Sequence, residues 1–379
     1  MKVGIDASNI RAGGGVTHLS QLLAHADPAA AGIERVVLWA PKSTHARIPD
    51  RPWLERRSPE ALERSLPWRI LWQQHTLPRE LKREGCDWLF SPGSTLPARV
   101  PASVRTLTLS QNMLPFQPEE SIRFGFGSLM WLKMKLLRRS QGRSFRQADR
   151  LLFLTRFARD TICRTLSIDP ANSAIVPHGI EPRFFIDRTA GAQAAPRSAR
   201  PFRLLYVSII DVYKHQWHVA EAVASLRKQG LNVEIDFVGP AYPPALARLQ
   251  AALDRLDPAR QALRYRGPMP FEQLHAAYRD ADAFVFASSC ENLPNILLEA
   301  MAAGLPIACS DRGPMPEVLG DSGFYFDPEK PESIAVAIRR LVQDPEAADR
   351  MRRECQDKAR EYTWESCARR TFEAIRQEV

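Results

Sequence analysis

Two carboxylates, Glu291 and Glu299, stand eight positions apart in the run Ser288-Ser289-Cys290-Glu291-Asn292-Leu293-Pro294-Asn295-Ile296-Leu297-Leu298-Glu299. The first follows an apolar strand-like stretch, Ala283 to Ala287. It therefore falls at a strand's carboxyl end, where open α/β sheets bind ligands. A helix opening near Pro294 aims its first amides at the same crevice, and such amides hold anions. Glu299 then lies just over one turn into that helix, within reach of a polar ligand. Carboxylates for hydroxyls and amides for phosphate suit a molecule that carries both.

The spacing E-x7-E, continued as E-A-M-A-x-G-x-P, sits in a longer string. That string runs from Tyr278-Arg279-Asp280-Ala281-Asp282 to Gly313-Pro314-Met315-Pro316-Glu317-Val318. It resembles the donor site of the family 4 (group 1) retaining glycosyltransferases. The resemblance is strong from Phe202 onward and looser before it. It implies an α/β protein of the GT-B type, with two Rossmann-like parallel-sheet domains facing across a cleft. It also implies a nucleoside-diphosphate sugar as donor, with no cofactor and no metal. Glu291 then corresponds to the family's contact with donor-sugar hydroxyls and Glu299 to a ribose ligand. Asn292, Leu293, Pro294 and Asn295 would lie under sugar and diphosphate. Gly267 and Pro268, in Arg266-Gly267-Pro268-Met269, resemble the segment beside the base, whose identity stays open.

In Ser208-Ile209-Ile210-Asp211-Val212-Tyr213-Lys214-His215, Lys214 matches the family's diphosphate lysine. With Glu291 it forms the catalytic pair, and Ser208 joins the donor set. Ile209 stands where an arginine is usual, so one cation is missing, and a point charge does not replace a bidentate guanidinium. Asn292 departs from the usual glycine. In the first half, Gly13-Gly14-Gly15 follows the first strand and resembles a Gly-Gly loop whose amides approach phosphate or acceptor. Gly14 and Gly15 are its candidate residues, since glycine permits close backbone approach. Gln111 and Asn112 occupy places where relatives carry His-Asp. Amides do not titrate, so this loop offers no general base. That agrees with a front-face retaining route in which the leaving phosphate accepts the proton. Asp280-Ala281-Asp282 has the form of a metal-binding D-x-D, but it ends a helix before a core strand and is read as structural.

These residues need two scaffolds. With 379 residues the chain fits two domains, and 45% apolar and 25% charged residues are ordinary for a globular protein. No apolar run approaches the roughly 20 residues of a membrane span. Met1-Lys2-Val3-Gly4-Ile5-Asp6 carries an acid inside a strand-like run and does not read as a signal peptide. Six scattered cysteines, without metal spacing, fit a reducing compartment. A cytoplasmic protein is expected.

Strand-like runs at Lys2–Asp6, Arg35–Ala40, Trp88–Ser91, Val104–Leu109, Leu151–Leu154 and Ala174–Pro177 alternate with helical stretches. They predict a mostly parallel first sheet. A second begins at Phe202 and continues at Val233–Val238, Leu263–Tyr265, Ala283–Ala287, Pro306–Cys309 and Gly323–Phe326. The expected organisation is an acceptor-side domain at 1–186, a linker at 187–200 and a nucleotide-sugar domain at 201–360. A last helix, 361–379, is expected to cross back to the first domain, with His178 in the crossing and Trp364 as anchor.

The formal charge of +9 points to an anionic partner. Lys133, Lys135, Arg138, Arg139, Arg143, Arg146 and Arg150 mix with Leu129, Met130, Trp131, Leu132 and Leu136. Such a segment, 129–150, can lie on an anionic inner membrane or be an ordinary helix with a solvated basic side. No nucleic-acid motif accompanies it. The expected function is transfer of a hexose to a glycan or lipid-linked glycan in surface polysaccharide assembly. The alternatives are an epimerase or phosphorylase of the same architecture, and a non-catalytic glycan- or nucleic-acid-binding protein.

Overall fold

The computed structural model of this chain describes residues 1–188 and 200–376. Its described residues form two parallel sheets. The first runs in the order β3-β2-β1-β4-β5-β6-β7. Its strands are β1 (Lys2–Asp6), β2 (Arg35–Trp39), β3 (Leu54–Arg57), β4 (Trp88–Ser91), β5 (Arg105–Leu109), β6 (Arg150–Phe153) and β7 (Ser173–Ile175). The second runs β10-β9-β8-β11-β12-β13. It comprises β8 (Phe202–Val207), β9 (Val233–Val238), β10 (Leu263–Gly267), β11 (Ala283–Phe286), β12 (Ile307–Ser310) and β13 (Phe324–Phe326).

Each central strand reads as a short apolar run because helices cover both faces of a parallel sheet. Val3, Ile5, Val37 and Leu89 are fully buried in the first unit, as are Phe237, Phe284 and Val285 in the second. Register follows from this burial: Val3 pairs with Val36 and Ile5 with Phe90, while Phe284 pairs with Leu205 and Ile307. In both sheets the strand order reverses once, between β1 and β4 and between β8 and β11. The loops leaving those strands at their carboxyl ends are the expected binding crevices.

The expected strands are found within one or two residues at their ends. One strand was missed. β3, Leu-Glu-Arg-Arg, is a charged edge strand whose side chains after Leu54 are half-buried, so it lacks an apolar signal.

The chain forms two compact units: Met1–Ser121 with Gly127–Gly179 and Thr363 onward, and Ile122–Phe126 with Ile180–Tyr362. The passage between them falls at Gly179–Ile180, ahead of the expected boundary at 186. Of the expected linker 187–200, residues 189–199 lie outside the described residues. Asp187 and Arg188 belong to the second unit. Arg188 is anchored there, donating to the carbonyls of Ala303 at 2.6 Å and Ala281 at 3.1 Å. The short segment Ile122–Phe126 groups with the second unit through the bidentate Arg123–Glu329 pair (2.7 and 3.2 Å) and the Phe124–Tyr242 ring contact.

The last helix, Trp364–Arg376, packs within the first unit against the Gly14–Ala24 helix. Gly179 makes this possible. A Cβ there would stand 2.2 Å from the Trp364 amide nitrogen, so only glycine fits. His178 stacks between His18 and Trp364, with ring centroids 4.6 and 5.6 Å away. No helix among the described residues is long and apolar enough to cross a membrane.

Candidate functional site

In the second unit, the loop after β8 turns back so that Tyr206 Oη donates to the Lys214 carbonyl at 2.5 Å. His215 follows in the left-handed region at φ 51°. That conformation is costly for a residue with a Cβ. It is held by a 3.0 Å contact between His215 Nε2 and Ser289 Oγ, while the Ser289 amide donates to the Tyr213 carbonyl at 2.9 Å. The β8 and β11 loops are thus pinned to each other at the point where strand order reverses.

The consequence is a direct ion pair between Lys214 Nζ and Glu291 Oε1, residues 77 positions apart. Both side chains are largely buried, at 6% and 15% exposure. The ammonium also faces the rings of Tyr213 and Phe286, 5.0 and 5.2 Å from their centroids. Buried charges need partners, and these two supply one another. An ammonium has three N–H donors, so Lys214 can hold Glu291 and a phosphate oxygen together. Burial, reinforced by the nearby Arg123 guanidinium, lowers the His215 pKa to about 3. His215 is therefore a neutral loop support and adds no charge at neutral pH.

The helix Asn295–Ala302 starts at the Pro294 cap, whose carbonyl accepts from the Leu297 and Leu298 amides at 2.9 and 3.2 Å, so the helix's positive end follows directly on the β11 loop. Asn292, Leu293 and Pro294 are buried ahead of it and Asn295 is half-buried. Glu299 lies in this helix at 8% exposure, with Oε2 accepting from Tyr278 Oη at 2.9 Å. It is no solvated surface glutamate. Burial raises its pKa to about 8, against the Tyr278 hydrogen bond, which lowers it. Glu291 thus faces an ammonium, and Glu299 a neutral phenol.

Ser208 and Gly267 are joined through a residue that the sequence reading passed over. Gly239, after β9, has φ 147° and packs so tightly that a Cβ would lie 2.0 Å from the Ser208 carbonyl oxygen. Its amide donates to the Gly267 carbonyl at 2.9 Å. Gly267 itself takes φ 75° after a register shift in β10, and Pro268 is exposed beyond it. The dipeptide Gly239-Pro240 after an apolar strand was the available signal.

Asp282 sits at the opposite, amino end of β11. It is engaged by Arg200 at 2.6 and 2.7 Å and by the Arg203 amide at 2.8 Å. Asp280 lines a cavity with Arg203, Glu234, Asp236, Arg264 and Arg266. Its charges are largely paired: Arg264 with Glu234 and Asp236, and Arg266 with Asp236. With Asp280 beside those pairs, the cavity offers no cationic surplus for a phosphate.

In the first unit, the Gly14–Ala24 helix is capped by Gly13 at φ 69°. The conformational need thus falls on Gly13, while Gly14 is exposed and faces open space. A Cβ on Gly15 would stand 3.7 Å from Gln111 Oε1. Gln111 Nε2 lies 3.2 Å from His18 Nδ1, and Asn112 Oδ1 accepts from the Leu114 amide at 3.1 Å. Asn112 therefore closes a local turn. His18 was not anticipated. It is buried, and desolvation together with His178 drives its pKa well down, so it stays neutral.

The crevice between β1 and β4 holds a further unanticipated group. Asp6 Oδ2 accepts from Gln73 Nε2 at 2.5 Å, and Oδ1 accepts from the Ser8 amide at 3.0 Å. Burial raises the Asp6 pKa. Gln73 reaches it from a π-turn, Trp72–Thr76, and also donates to the Thr95 carbonyl at 3.1 Å. Asp6 was visible as an acid ending an apolar strand, whereas Gln73 had no local signal.

Comparison with known proteins agrees with this geometry. The family described as Glycosyl transferases group 1 matches residues 188–361, and Glycosyltransferase Family 4 matches residues 12–184. The O-antigen chain mannosyltransferase B of Escherichia coli is 33% identical over 30% of this chain and 30% of its own length. Longer matches to other curated relatives reach 58% of the relative. The chain thus spans between about a fifth and just under three fifths of the length of the curated relatives it matches. Among solved structures, a sucrose-phosphate synthase from Thermosynechococcus elongatus superposes with a TM-score of 0.74 at 17% identity, covering 100% of this chain and 98% of that one. Anabaena HepE in complex with UDP and glucose gives 0.71 at 15% identity, covering 99% of each chain. With both halves of the chain matched and its two parallel-sheet units in place, this protein belongs to the group 1 glycosyltransferases of the GT-B fold.

Proposed function

We propose that this protein is a metal-independent, retaining hexosyltransferase that takes its sugar from a nucleoside diphosphate. The acceptor is a glycan, or a lipid-linked glycan, of surface polysaccharide assembly at the cytoplasmic face of a membrane. The observation that carries this reading is the Lys214–Glu291 pair at the strand-order reversal, beside the opening of the Asn295–Ala302 helix. A diphosphate entering there meets the ammonium and the helix's positive end, which stabilise the charge that grows on the leaving group. Glu291, oriented by Lys214, accepts from sugar hydroxyls, and Glu299 accepts from the ribose. Ser208, Gly267 and Pro268 border the base. In the first unit, the Gly14 and Gly15 amides and the Gln111 and Asn112 loop belong to phosphate and acceptor. Those amides do not titrate, so the leaving phosphate takes the acceptor proton.

The names of the relatives support the substrate class: one is a mannosyltransferase, and one structure holds UDP and glucose. The basic segment 129–150 supports contact with an anionic membrane. A thermal-shift panel of UDP, GDP, ADP and dTDP tests the donor reading, because a ligand raises native stability by RT ln(1 + [L]/Kd). One base should give a clear shift that Glu299→Ala and Lys214→Ala diminish. A flat panel would remove the donor site. Anomer analysis of the product then decides retention, and turnover of the nucleotide sugar without an acceptor would point to an epimerase.

A further inference from the structure

The six-residue helix Leu66–Leu71 contains no buried residue, although its sequence is Leu-Pro-Trp-Arg-Ile-Leu. Leu66, Trp68, Ile70 and Leu71 are each 44–51% exposed. An apolar helix face open to water is costly unless something covers it. On the Leu129–Gln147 helix, Leu129, Leu132 and Leu136 are 88%, 48% and 61% exposed. Both helices are fastened to one loop. The Ala98 amide donates to Gln74 Oε1 at 2.6 Å just beyond the first helix, and the Leu96 amide donates to Ser144 Oγ on the second at 2.9 Å.

Cations accompany these side chains. The Arg64 guanidinium lies over the Trp68 ring at 5.2 Å and Lys135 Nζ over the Trp131 ring at 3.8 Å. Lys133, Arg139 and Arg143 are exposed along the longer helix. Acids are few on this face: Glu60 is held by Arg64, and Glu63 accepts from the Lys42 amide at 2.7 Å. Exposed aliphatic and tryptophan side chains among cations match a bilayer interface with anionic headgroups. A soluble protein partner would not require so even a spread of positive charge.

We propose that the Leu66–Leu71 helix and the first turns of the Leu129–Gln147 helix form a two-part docking surface for an anionic lipid bilayer. The apolar side chains enter the interface and the lysines and arginines lie on the headgroups. This deepens the lipid-linked acceptor reading and rests on it. The first helix continues directly into the π-turn whose Gln73 bonds Asp6 in the β1–β4 crevice. A bilayer under that helix therefore presents its lipid headgroups a few residues from the carboxyl end of β1.

The test is co-sedimentation of the full chain with vesicles of phosphatidylglycerol and phosphatidylcholine, against vesicles of phosphatidylcholine alone. Each half-exposed apolar side chain of this size adds roughly fivefold to partitioning. Trp68→Ser/Ile70→Ser/Leu71→Ser should therefore weaken binding about a hundredfold. Lys133→Gln/Lys135→Gln/Arg139→Gln should lose the preference for the anionic vesicles, and wild-type binding should fall as salt rises. An unchanged nucleoside-diphosphate thermal shift in both variants shows that the fold and donor site are intact. No wild-type binding to the anionic vesicles at low salt, or equal binding by the serine variant, overturns the proposal. So does a wild-type dimer that the serine variant converts to monomer without change in vesicle binding, since a second copy would then be the cover. Vesicle binding without any nucleotide shift would refute the transferase reading and leave the surface standing.

Discussion

Glu299 gives the sharpest quantitative expectation, because it should make donor binding proton-linked. Burial raises its pKa from the ordinary 4.5 to about 8. At pH 7 about nine-tenths of the free protein then carries the proton. Ribose hydroxyls are donors, and a carboxylate offers both its oxygens where the acid offers fewer. If only the ionised form takes the ribose, each binding event at pH 7 releases about 0.9 of a proton. Affinity should rise close to tenfold per pH unit up to about 8 and level off above it. Calorimetry with a nucleotide sugar in buffers of different ionisation enthalpy reads the proton directly. The sugar conjugate is preferred because a terminal phosphate titrates near 6 on its own account.

The same shift has a stability sign. The native state keeps this proton over a range where the unfolded chain has lost it, so the unfolded state binds fewer protons there. Stability therefore falls as pH rises from about 4.5 to 8, by at most about 5 kcal/mol from this group, and is flat in it above. Glu299→Gln should abolish both the proton release and its share of the slope. Release that is absent in the wild type, or persists in Glu299→Gln, refutes the argument. Affinity that is flat below pH 8 and falls above it would mean that the protonated acid donates to the ribose.

Lys214→Ala should lower kcat by roughly 10²–10³ by removing a donor to the leaving diphosphate; near-normal kcat/KM would show that the diphosphate is held otherwise. Because that variant also strands Glu291, Lys214→Ala/Glu291→Gln should recover thermal stability without recovering turnover. Gly179→Ala must push a methyl group to within 2.2 Å of the Trp364 amide. Overpacking of about 1–3 kcal/mol should lower Tm by several degrees, and an unchanged Tm would mean that the contact relaxes freely. Turnover should persist in excess EDTA, since Asp282 is committed to Arg200 away from the β11 carboxyl end. Metal-reversible loss would revive Asp280 and Asp282 as ligands.

What could be read from the sequence follows from where information is local. The strands of both sheets were legible because burial on two faces forces continuous apolar runs, and the loop after β11 because its motif is contiguous. β3 was hidden by its charged edge. Lys214 and Glu291 were named together only through the resemblance; their direct ion pair could not be read, since 77 residues separate partners that only the β8–β11 neighbourhood brings together. Gln73 was invisible for the same reason: its partner Asp6 is 67 positions away, and a π-turn has no periodicity to announce it. Pro177-His178-Gly179 was read as part of the crossing, but the boundary was drawn at 186, because the polar stretch from Asp187 to Arg200 looks more like a linker. Close approach of two backbones is the real constraint at Gly179, and composition carries no trace of it.

The missing arginine at Ile209 now has a physical context. An arginine there would bring a second permanent charge to the crevice, yet Ile209 is 37% exposed and the nearby loop is supported by neutral His215. Lys214 is left as the ammonium that the β8 and β11 loops hold against Glu291, and Glu291 shares it before any donor arrives. If the donor binds as proposed, diphosphate recognition and sugar recognition meet on one side chain. A donor that lacks its sugar leaves Lys214 divided between phosphate and Glu291, whereas a complete donor gives Glu291 hydroxyl donors and frees the ammonium for the phosphate. On that reading, discrimination between nucleotide and nucleotide sugar would arise from the pair itself.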